Sequence, residues 1–359
     1  MADNTRKKKI LFVVEAMGGG VFTYIVNLSN ELCKKYDMYV AYSIRRQTPS
    51  DYKSYFDPRV HLIKVQNFTR EIRPQKDLKA FFELRKIAEK VKPDIIHLHS
   101  SKAGAIGRMA FDGKQVPLFY TPHGYSFLMK NYKSAKRMAF KMVEEFCAKR
   151  PCTTISCSLG EHEETLKLTK RAEYVNNGIN IKELDGLLSG LEETEHPFTV
   201  YTLGRICYQK NPKLFNEIAL KMPEVHFLWI GDGDLREELT APNIEITGWL
   251  DRREALKRAI NGDVFLLTSL WEGLPISLLE SMYMRKLCVV NDVIGNHDVI
   301  HDGENGYVCR MVNEFVNAIL ENKPGVVEKA FKDINEGYTT SAMAEKYSEI
   351  YEKVPHRRA

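Results

Sequence analysis

The run Ile10–Val14 is apolar without interruption and leads through Gly18-Gly19-Gly20 into a helical stretch from Val21 to Lys35. A strand with no polar alternation must be covered on both faces, which is the situation of strands in parallel sheets flanked by helices. The same rhythm returns along the chain. Met38–Tyr42, Val60–Val65, Asp94–His99, Pro117–Thr121, Thr153–Ser158 and Ala172–Val175 read as further strands. Helices fall at about Lys76–Lys90, Lys102–Met109, Lys130–Arg150 and Leu159–Leu168. The pattern stops at the turn-rich cluster Asn176-Asn177-Gly178-Ile179-Asn180 and an acidic, weakly apolar piece from Lys182 to His196. It then restarts. Strands at Phe198–Leu203, Val225–Ile230, Ile244–Thr247, Val264–Thr268 and Leu287–Val290 accompany helices at Pro212–Lys221, Arg252–Ile260 and Pro275–Met284, with a last helix at about Ser341–Lys353. This predicts an α/β protein of two doubly wound parallel-sheet domains, 1–178 and 195–340. The C-terminal helix, about 341–359, is a candidate to pack back on the first. Ligands of such sheets bind outside the carboxyl ends of the strands, so the site is expected in an inter-domain cleft.

The 359 residues suffice for two cores. No apolar run approaches the roughly 20 residues a membrane-spanning helix needs. Met1–Lys9 is polar and basic and shows no signal-peptide core. The cysteines, Cys33, Cys147, Cys152, Cys157, Cys207, Cys288 and Cys309, are odd in number and lie mostly in apolar or helical surroundings, which predicts reduced thiols rather than a disulfide frame. A cytoplasmic protein is expected. The net charge of +5 conceals an asymmetry: Lys and Arg exceed Asp and Glu by 14 over residues 1–180 and fall short by 9 over residues 181–359. A dense part of the excess, Lys130, Lys133, Lys136, Arg137, Lys141, Lys149 and Arg150, is interleaved with Met138, Phe140, Met142, Val143 and Phe146. Such a stretch suits either an anionic bilayer surface or a solvated helix face. Nucleic acid is not an expected partner, since no recognised binding module is present and half the chain is acidic.

Three segments carry phosphate- and hydroxyl-binding chemistry. Gly18-Gly19-Gly20 joins a strand to a helix N-terminus, whose free N–H groups suit an anion; it is not G-x-G-x-x-G, so a nicotinamide cofactor is not indicated. Gly204-Arg205 at a strand end, with Lys210 five residues on, offers two cations for a diphosphate, or else an ordinary exposed basic loop. In Trp271-Glu272-Gly273-Leu274-Pro275-Ile276-Ser277-Leu278-Leu279-Glu280, Pro275 suits the first turn of a helix. Glu272 is then in the preceding loop and Glu280 one to two turns inside. Carboxylates accept from hydroxyls and the helix end holds negative charge, which fits a nucleotide-sugar; a helix with one exposed and one capping Glu is the plainer alternative.

With these segments in order, the chain resembles glycosyltransferase family 4, whose members have two facing Rossmann-like domains, the GT-B fold. The resemblance covers nearly the whole chain. Its carriers are Met17–Gly20, Thr121-Pro122-His123-Gly124, Val175–Asn180, Gly204-Arg205 with Lys210, Gly231-Asp232-Gly233, the Glu272/Glu280 pair and Asp302-Gly303-Glu304-Asn305-Gly306. It implies that Arg205 and Lys210 grip the donor diphosphate and that Glu272 meets the donor sugar, with the loop Gly273-Leu274-Pro275-Ile276 beside it touching sugar and phosphate through its backbone N–H groups, of which Pro275 has none. Glu280 would hold the ribose, Gly19, Gly20, Gly204 and Gly231 would line the nucleotide-sugar, and His123 would lie beside the transferred sugar. It further implies a retaining, metal-independent transfer, with the nucleotide-sugar, best UDP-linked, as co-substrate rather than a bound cofactor. The acceptor would be a glycan, lipid-linked, in cell-surface polysaccharide synthesis at the cytosolic face of a membrane. A nucleotide-sugar epimerase of similar fold, or a non-catalytic binder, is the alternative.

Several features read more plainly. Asp232-Gly233-Asp234 imitates a metal-binding D-x-D motif but is expected to form a turn and a helix N-cap. His97 and His99, two apart on one strand, share a face; one or both could approach the acceptor, but structural histidines are commoner. The family's glycines and glutamate after Val290 are replaced here by Gly295-Asn296-His297-Asp298-Val299.

Overall fold

A computed structural model of the chain describes residues 6–45, 48–69, 71–129, 132–321 and 323–353; Lys130 and the end of the C-terminal stretch beyond 353 lie outside them. The chain divides into two compact units. Met1–Leu128, Ser134–Asn177 and Thr340–Ala359 form the first, and Met129–Lys133 with Gly178–Thr339 the second.

In the first unit, β1 (Lys9–Met17), α1 (Gly19–Leu32), β2 (Asp37–Ile44), β3 (His61–Lys64), α2 (Pro74–Val91), β4 (Ile95–His99), α3 (Ser101–Ala110), β5 (Leu118–Thr121), α4 (Ser134–Ala148), β6 (Thr153–Ser156), α5 (Leu159–Leu166) and β7 (Ala172–Tyr174) follow in order. The strands make one parallel seven-stranded sheet, β3-β2-β1-β4-β5-β6-β7. The uninterrupted apolar run of β1 has its physical reason here: Ile10, Phe12 and Val14 enter the core on one face, Leu11 and Val13 that on the other.

The second unit comprises α6 (Ile181–Leu188), β8 (Thr199–Leu203), α7 (Pro212–Lys221), β9 (His226–Ile230), β10 (Ile244–Ile246), α8 (Arg252–Ile260), β11 (Val264–Leu267), α9 (Ile276–Tyr283), β12 (Leu287–Asn291), β13 (Tyr307–Cys309), α10 (Val312–Leu320) and α11 (Pro324–Gly337). Its parallel sheet has the order β10-β9-β8-β11-β12-β13. Phe227 and Trp229 of β9 face one core, Leu228 and Ile230 the other. The strand order reverses beside β1 in the first sheet and beside β8 in the second, so the loops leaving those two strands sit at the switch points where doubly wound sheets take ligands.

The acidic piece after Asn180 is not irregular throughout. Asn180 accepts from the Glu183 N–H and opens α6, whose Leu184 is fully buried. The helix α12 (Thr340–Glu352) belongs to the first unit, where Met343, Tyr347, Ile350 and Tyr351 join the core on the α1 side of the sheet. All seven cysteines are free thiols.

Candidate functional site

In the second unit, the carboxyl ends of β8 and β9 approach more closely than side chains permit. Gly204 and Gly231 have φ of +148° and +138°, and a Cβ on Gly231 would stand 2.2 Å from the Gly204 carbonyl oxygen. That oxygen accepts from Trp229 Nε1 at 2.8 Å. The loop that leaves Gly204 carries Arg205, half-buried and with no hydrogen bond or ion pair among the described residues. It closes in a short 3₁₀ turn, Tyr208–Lys210, before Pro212 opens α7.

Lys210 and Glu272 come together. Lys210 Nζ lies 2.7 Å from Glu272 Oε1, while Gln209 Nε2 donates to Glu272 Oε2 at 3.2 Å and to the Trp271 carbonyl at 3.0 Å. Thr268 Oγ1 donates to the Lys210 carbonyl, and the Leu270 N–H to the Gln209 carbonyl, both at 2.8 Å. The loops after β8 and β11 are thus zipped along backbone and side chain, with an ammonium and a carboxylate held at the seam.

Leu274 is buried as the anchor of the next turn, and Pro275 occupies the N-cap of α9 in an extended conformation. No side chain caps this helix, so its N-terminal end keeps the dipole and open amides that favour an anion. Glu280, just over one turn in, is 5% exposed, and its Oε1 accepts from Arg252 Nη2 at 2.7 Å. Burial pushes the Glu280 carboxyl up, and the neighbouring guanidinium opposes that rise. Sequence reasoning saw Arg252 only as a helix start; nothing in its spacing pointed to the carboxylate it serves. The loop that departs from the family pattern packs directly on this turn. A Cβ on Gly295 would lie 2.4 Å from the Gly273 carbonyl oxygen, and the Gly295 N–H donates to Asp298 at 3.0 Å.

Asp232 accepts from its neighbour Gly233 N–H at 2.8 Å and pairs with Arg236 at 3.2 Å. The turn forms, but the expected N-cap does not: the following element is a short 3₁₀ segment, Arg236–Glu238, capped by no side chain.

In the first unit, α1 starts at Gly19, whose φ of +56° lies in the left-handed region; a Cβ at Gly19 or Gly20 would meet nothing within 4 Å. The backbone there faces open space. His123, after β5, has φ +57°, a costly conformation for a residue with a Cβ. The next residue holds it: the Gly124 N–H donates to the buried Glu161 at 2.6 Å, and the other Glu161 oxygen takes the Cys157 N–H at 2.8 Å. His97 and His99 are both fully buried. His97 bonds Tyr351 and Thr121, which makes it structural, whereas His99 Nδ1 lies 3.1 Å from His123 Nε2.

This fold is the GT-B architecture of glycosyltransferases. Sucrose-phosphate synthase from Thermosynechococcus elongatus superposes with a TM-score of 0.80, covering 97% of this chain and 99% of its own at 17% identity. The family model Glycosyltransferase Family 4 matches residues 18–183, and Glycosyl transferases group 1 matches residues 197–322. A UDP-Gal:alpha-D-GlcNAc-diphosphoundecaprenol alpha-1,3-galactosyltransferase of Escherichia coli is 31% identical over 301 residues, 74% of this chain and 76% of that protein. The N,N'-diacetylbacillosaminyl-diphospho-undecaprenol alpha-1,3-N-acetylgalactosaminyltransferase of Campylobacter jejuni is 23% identical over 327 residues, 81% of this chain and 85% of its own. The chain belongs to glycosyltransferase family 4, and it is an enzyme of that class.

Proposed function

We propose that this enzyme moves a sugar from a UDP-linked donor to a saccharide carried on a polyprenyl diphosphate, with retention at the anomeric carbon, as a step in cell-surface polysaccharide synthesis. The observation that carries the donor half is the Lys210–Glu272 pair at 2.7 Å beside an uncommitted Arg205 and the open end of α9. Two cations and a helix end suit a diphosphate; Glu272 and Glu280 suit hydroxyls of sugar and ribose. The acceptor half rests on the two relatives, whose names specify diphospho-undecaprenol acceptors.

In this reading the bond from the anomeric carbon to the donor phosphate oxygen breaks as the acceptor oxygen bonds the same face. The acceptor's proton passes to the departing phosphate. Arg205 and Lys210 stabilise the charge that develops on the diphosphate, so catalysis is positioning and electrostatics rather than a protein nucleophile. Glu272 orients the sugar and Glu280 the ribose. The turns around Gly204, Gly231 and Gly273–Ile276 give backbone access to the same ligand. His123 and the Gly19–Gly20 turn keep the roles the family resemblance gives them, beside the sugar and the phosphates, and the reaction needs no metal.

The acceptor class gives α4 a role. Met138, Met142, Val143 and Phe146 are 46–61% exposed on a helix that also carries Lys133, Lys136, Arg137 and Lys141 near or within it. Among the described residues no helix is long and apolar enough to cross a membrane. An apolar, basic helix lying in the interface of an anionic bilayer brings the enzyme to a lipid-borne substrate.

The test is a thermal-shift panel of nucleotide-sugars, followed by nucleoside diphosphate release with and without a polyprenyl-diphosphate saccharide. A ligand at about 100 times its Kd adds roughly 2.7 kcal/mol of stability. Diphosphate release that depends on acceptor, survives a chelator and yields the donor's own anomer supports the proposal. Release independent of acceptor, or an inverted product, overturns it.

A further inference from the structure

His123 reaches the end of β5 in a left-handed conformation and is only half-buried, whereas His99, at the end of β4, is sealed. Between them is one hydrogen bond, His99 Nδ1 to His123 Nε2 at 3.1 Å. It can run in either direction, and the choice decides which nitrogen of His123 carries its proton.

The far side of His99 makes the choice. His99 Nε2 is buried and meets no hydrogen-bond partner. If that atom bore the proton, a buried N–H would be stranded; if it is bare, only a weak lone pair goes unused. A stranded buried donor is the costlier vacancy. His99 therefore carries its proton on Nδ1 and donates to His123 Nε2, which must be bare. Burial holds His99 well below its ordinary value and His123 down to about 3, so both rings are neutral and one proton remains for each. His123 then has its proton on Nδ1, an atom that bonds no described residue.

We propose that His99 is a positioning residue that fixes His123 in the Nδ1–H tautomer, so that His123 presents a hydrogen-bond donor to an oxygen of the bound sugar. The proposal rests on the reading of His123 given above. An exposed neutral imidazole has no such commitment, and a rotating or mixed-tautomer ring would offer an acceptor for part of the time. The supports around it are built for a fixed ring. The Tyr24 ring meets His123 edge-on at 4.5 Å between centroids, and Tyr24 is itself tied to Tyr347 of α12 by a buried hydroxyl–hydroxyl bond. Glu161 grips the Gly124 N–H on the other side.

The experiment reads tautomer and turnover separately. Two-bond ¹⁵N–¹H spectra of the full chain with labelled histidine report which nitrogen is protonated, with the His123 signals assigned by their loss in His123→Gln. The expected result is Nδ1–H at His123 in the native protein and a shift towards Nε2–H in His99→Phe, which keeps a ring but removes the donor. In the same variant kcat for sugar transfer falls roughly ten- to a hundredfold while donor KM stays within about twofold. His99→Asn, whose amide nitrogen can stand in for Nδ1, restores much of both. A native His123 protonated at Nε2 overturns the proposal, and needs no variant to fold. So does a loss of kcat in His99→Phe with the tautomer unchanged, which would make His99 merely structural. Full activity of His123→Ala with the tautomer as inferred overturns the sugar contact instead, and with it the catalytic half of the proposal.

Discussion

Arg252 Nη2 stands 2.7 Å from Glu280 Oε1, a contact between the first turn of α8 and a carboxylate almost wholly removed from water. Burial favours the protonated acid and pushes the Glu280 carboxyl up, while the guanidinium opposes that rise and takes one oxygen, which leaves the second to spend on a ligand. Replacing Arg252 with Leu should therefore raise the Glu280 pKa further. Its consequence has a sign. In the variant the ionised fraction of Glu280 at a given pH falls below that of the native enzyme, so the gain of donor affinity with rising pH should be displaced to higher pH than in the native enzyme. Titrating nucleotide-sugar affinity of both proteins by calorimetry from about pH 5 to about pH 9 checks this, a range that runs upward from the ordinary carboxylate value. A variant whose affinity is flat across that range would remove Glu280 from the ribose.

The two cations proposed for the diphosphate differ in what they already hold. Lys210 is paired with Glu272, whereas Arg205 is uncommitted among the described residues. Lys210→Met should then cost stability as well as turnover, because it takes the charged partner from a carboxylate whose side chain is 9% exposed and leaves it the Gln209 amide; about 1–3 kcal/mol is expected. Arg205→Ala should leave the melting temperature within about a degree or two, since surface changes stay near ±0.5 kcal/mol. Both should lower kcat by roughly a hundredfold through lost stabilisation of the leaving group. Melting curves and diphosphate-release rates of the two variants, side by side, separate the cases. Equal stability losses would mean that Lys210 is not committed to Glu272 in solution.

Much of this was readable before any coordinates. The alternation of buried strand and helix that begins at Ile10–Val14 and restarts after the break at Asn176–Asn180 is enough to specify two parallel sheets, because both faces of such strands must be covered. Pro212 and Pro275 mark the entries to α7 and α9. What escaped depended on tertiary context. β13 is three residues long and is fixed by pairing with β12. Helix α6 hides in an acidic stretch because its stability comes from an Asn180 cap and one buried leucine, Leu184. Arg252 and Glu161 are ordinary residues of their elements until folding sets them beside Glu280 and Gly124, and His99, a candidate already on its strand, shows its partner His123 only in the fold. Partners that meet only through the fold leave no spacing to read.

Glu352, near the end of α12, accepts from Lys8 Nζ at 2.6 Å and from Tyr36 hydroxyl at 2.9 Å. The Lys8 hydrogen bond is the main cause that holds its carboxyl down to about 2. A carboxylate whose folded pKa is depressed stabilises the fold above its unfolded value, near 4.3, and loses that contribution as pH falls from there through about 2. Glu352→Gln should therefore melt lower than the native protein at pH 7. The gap should narrow as the pH is taken from about 5 towards 2, if both proteins still unfold cooperatively there. Since the pair is partly exposed, the difference should also shrink in salt. Parallel melting series in pH and in salt provide the check, and a gap constant in pH would assign the loss to packing of α12 instead.

Helix α4 combines an inner and an outer face with opposite demands. Inside, Glu144 accepts from Arg108 at 2.6 Å and from the Tyr120 hydroxyl at 2.9 Å, with the Arg108 guanidinium 4.2 Å above the Tyr120 ring. Outside, Met138, Met142 and Phe146 recur every fourth residue in full view of solvent, with Val143 beside them. A solvated helix has no use for four exposed apolar side chains, whereas a bilayer interface rewards each of them. Sedimentation with vesicles containing anionic lipid should therefore capture the enzyme. Reversing Lys136 and Lys141 to Glu should weaken capture mainly at low salt, because the charge term is screened. Replacing Met142 and Phe146 with Ser should weaken it at every salt concentration, because the apolar term is not. Neither pair touches the Glu144–Arg108 anchor, so both variants should keep the native melting temperature and full turnover of a short-chain, water-soluble acceptor. Loss of activity on the lipid-borne acceptor alone would tie the helix to substrate delivery. Equal sedimentation of native and doubly substituted proteins would return α4 to the role of an ordinary solvated face.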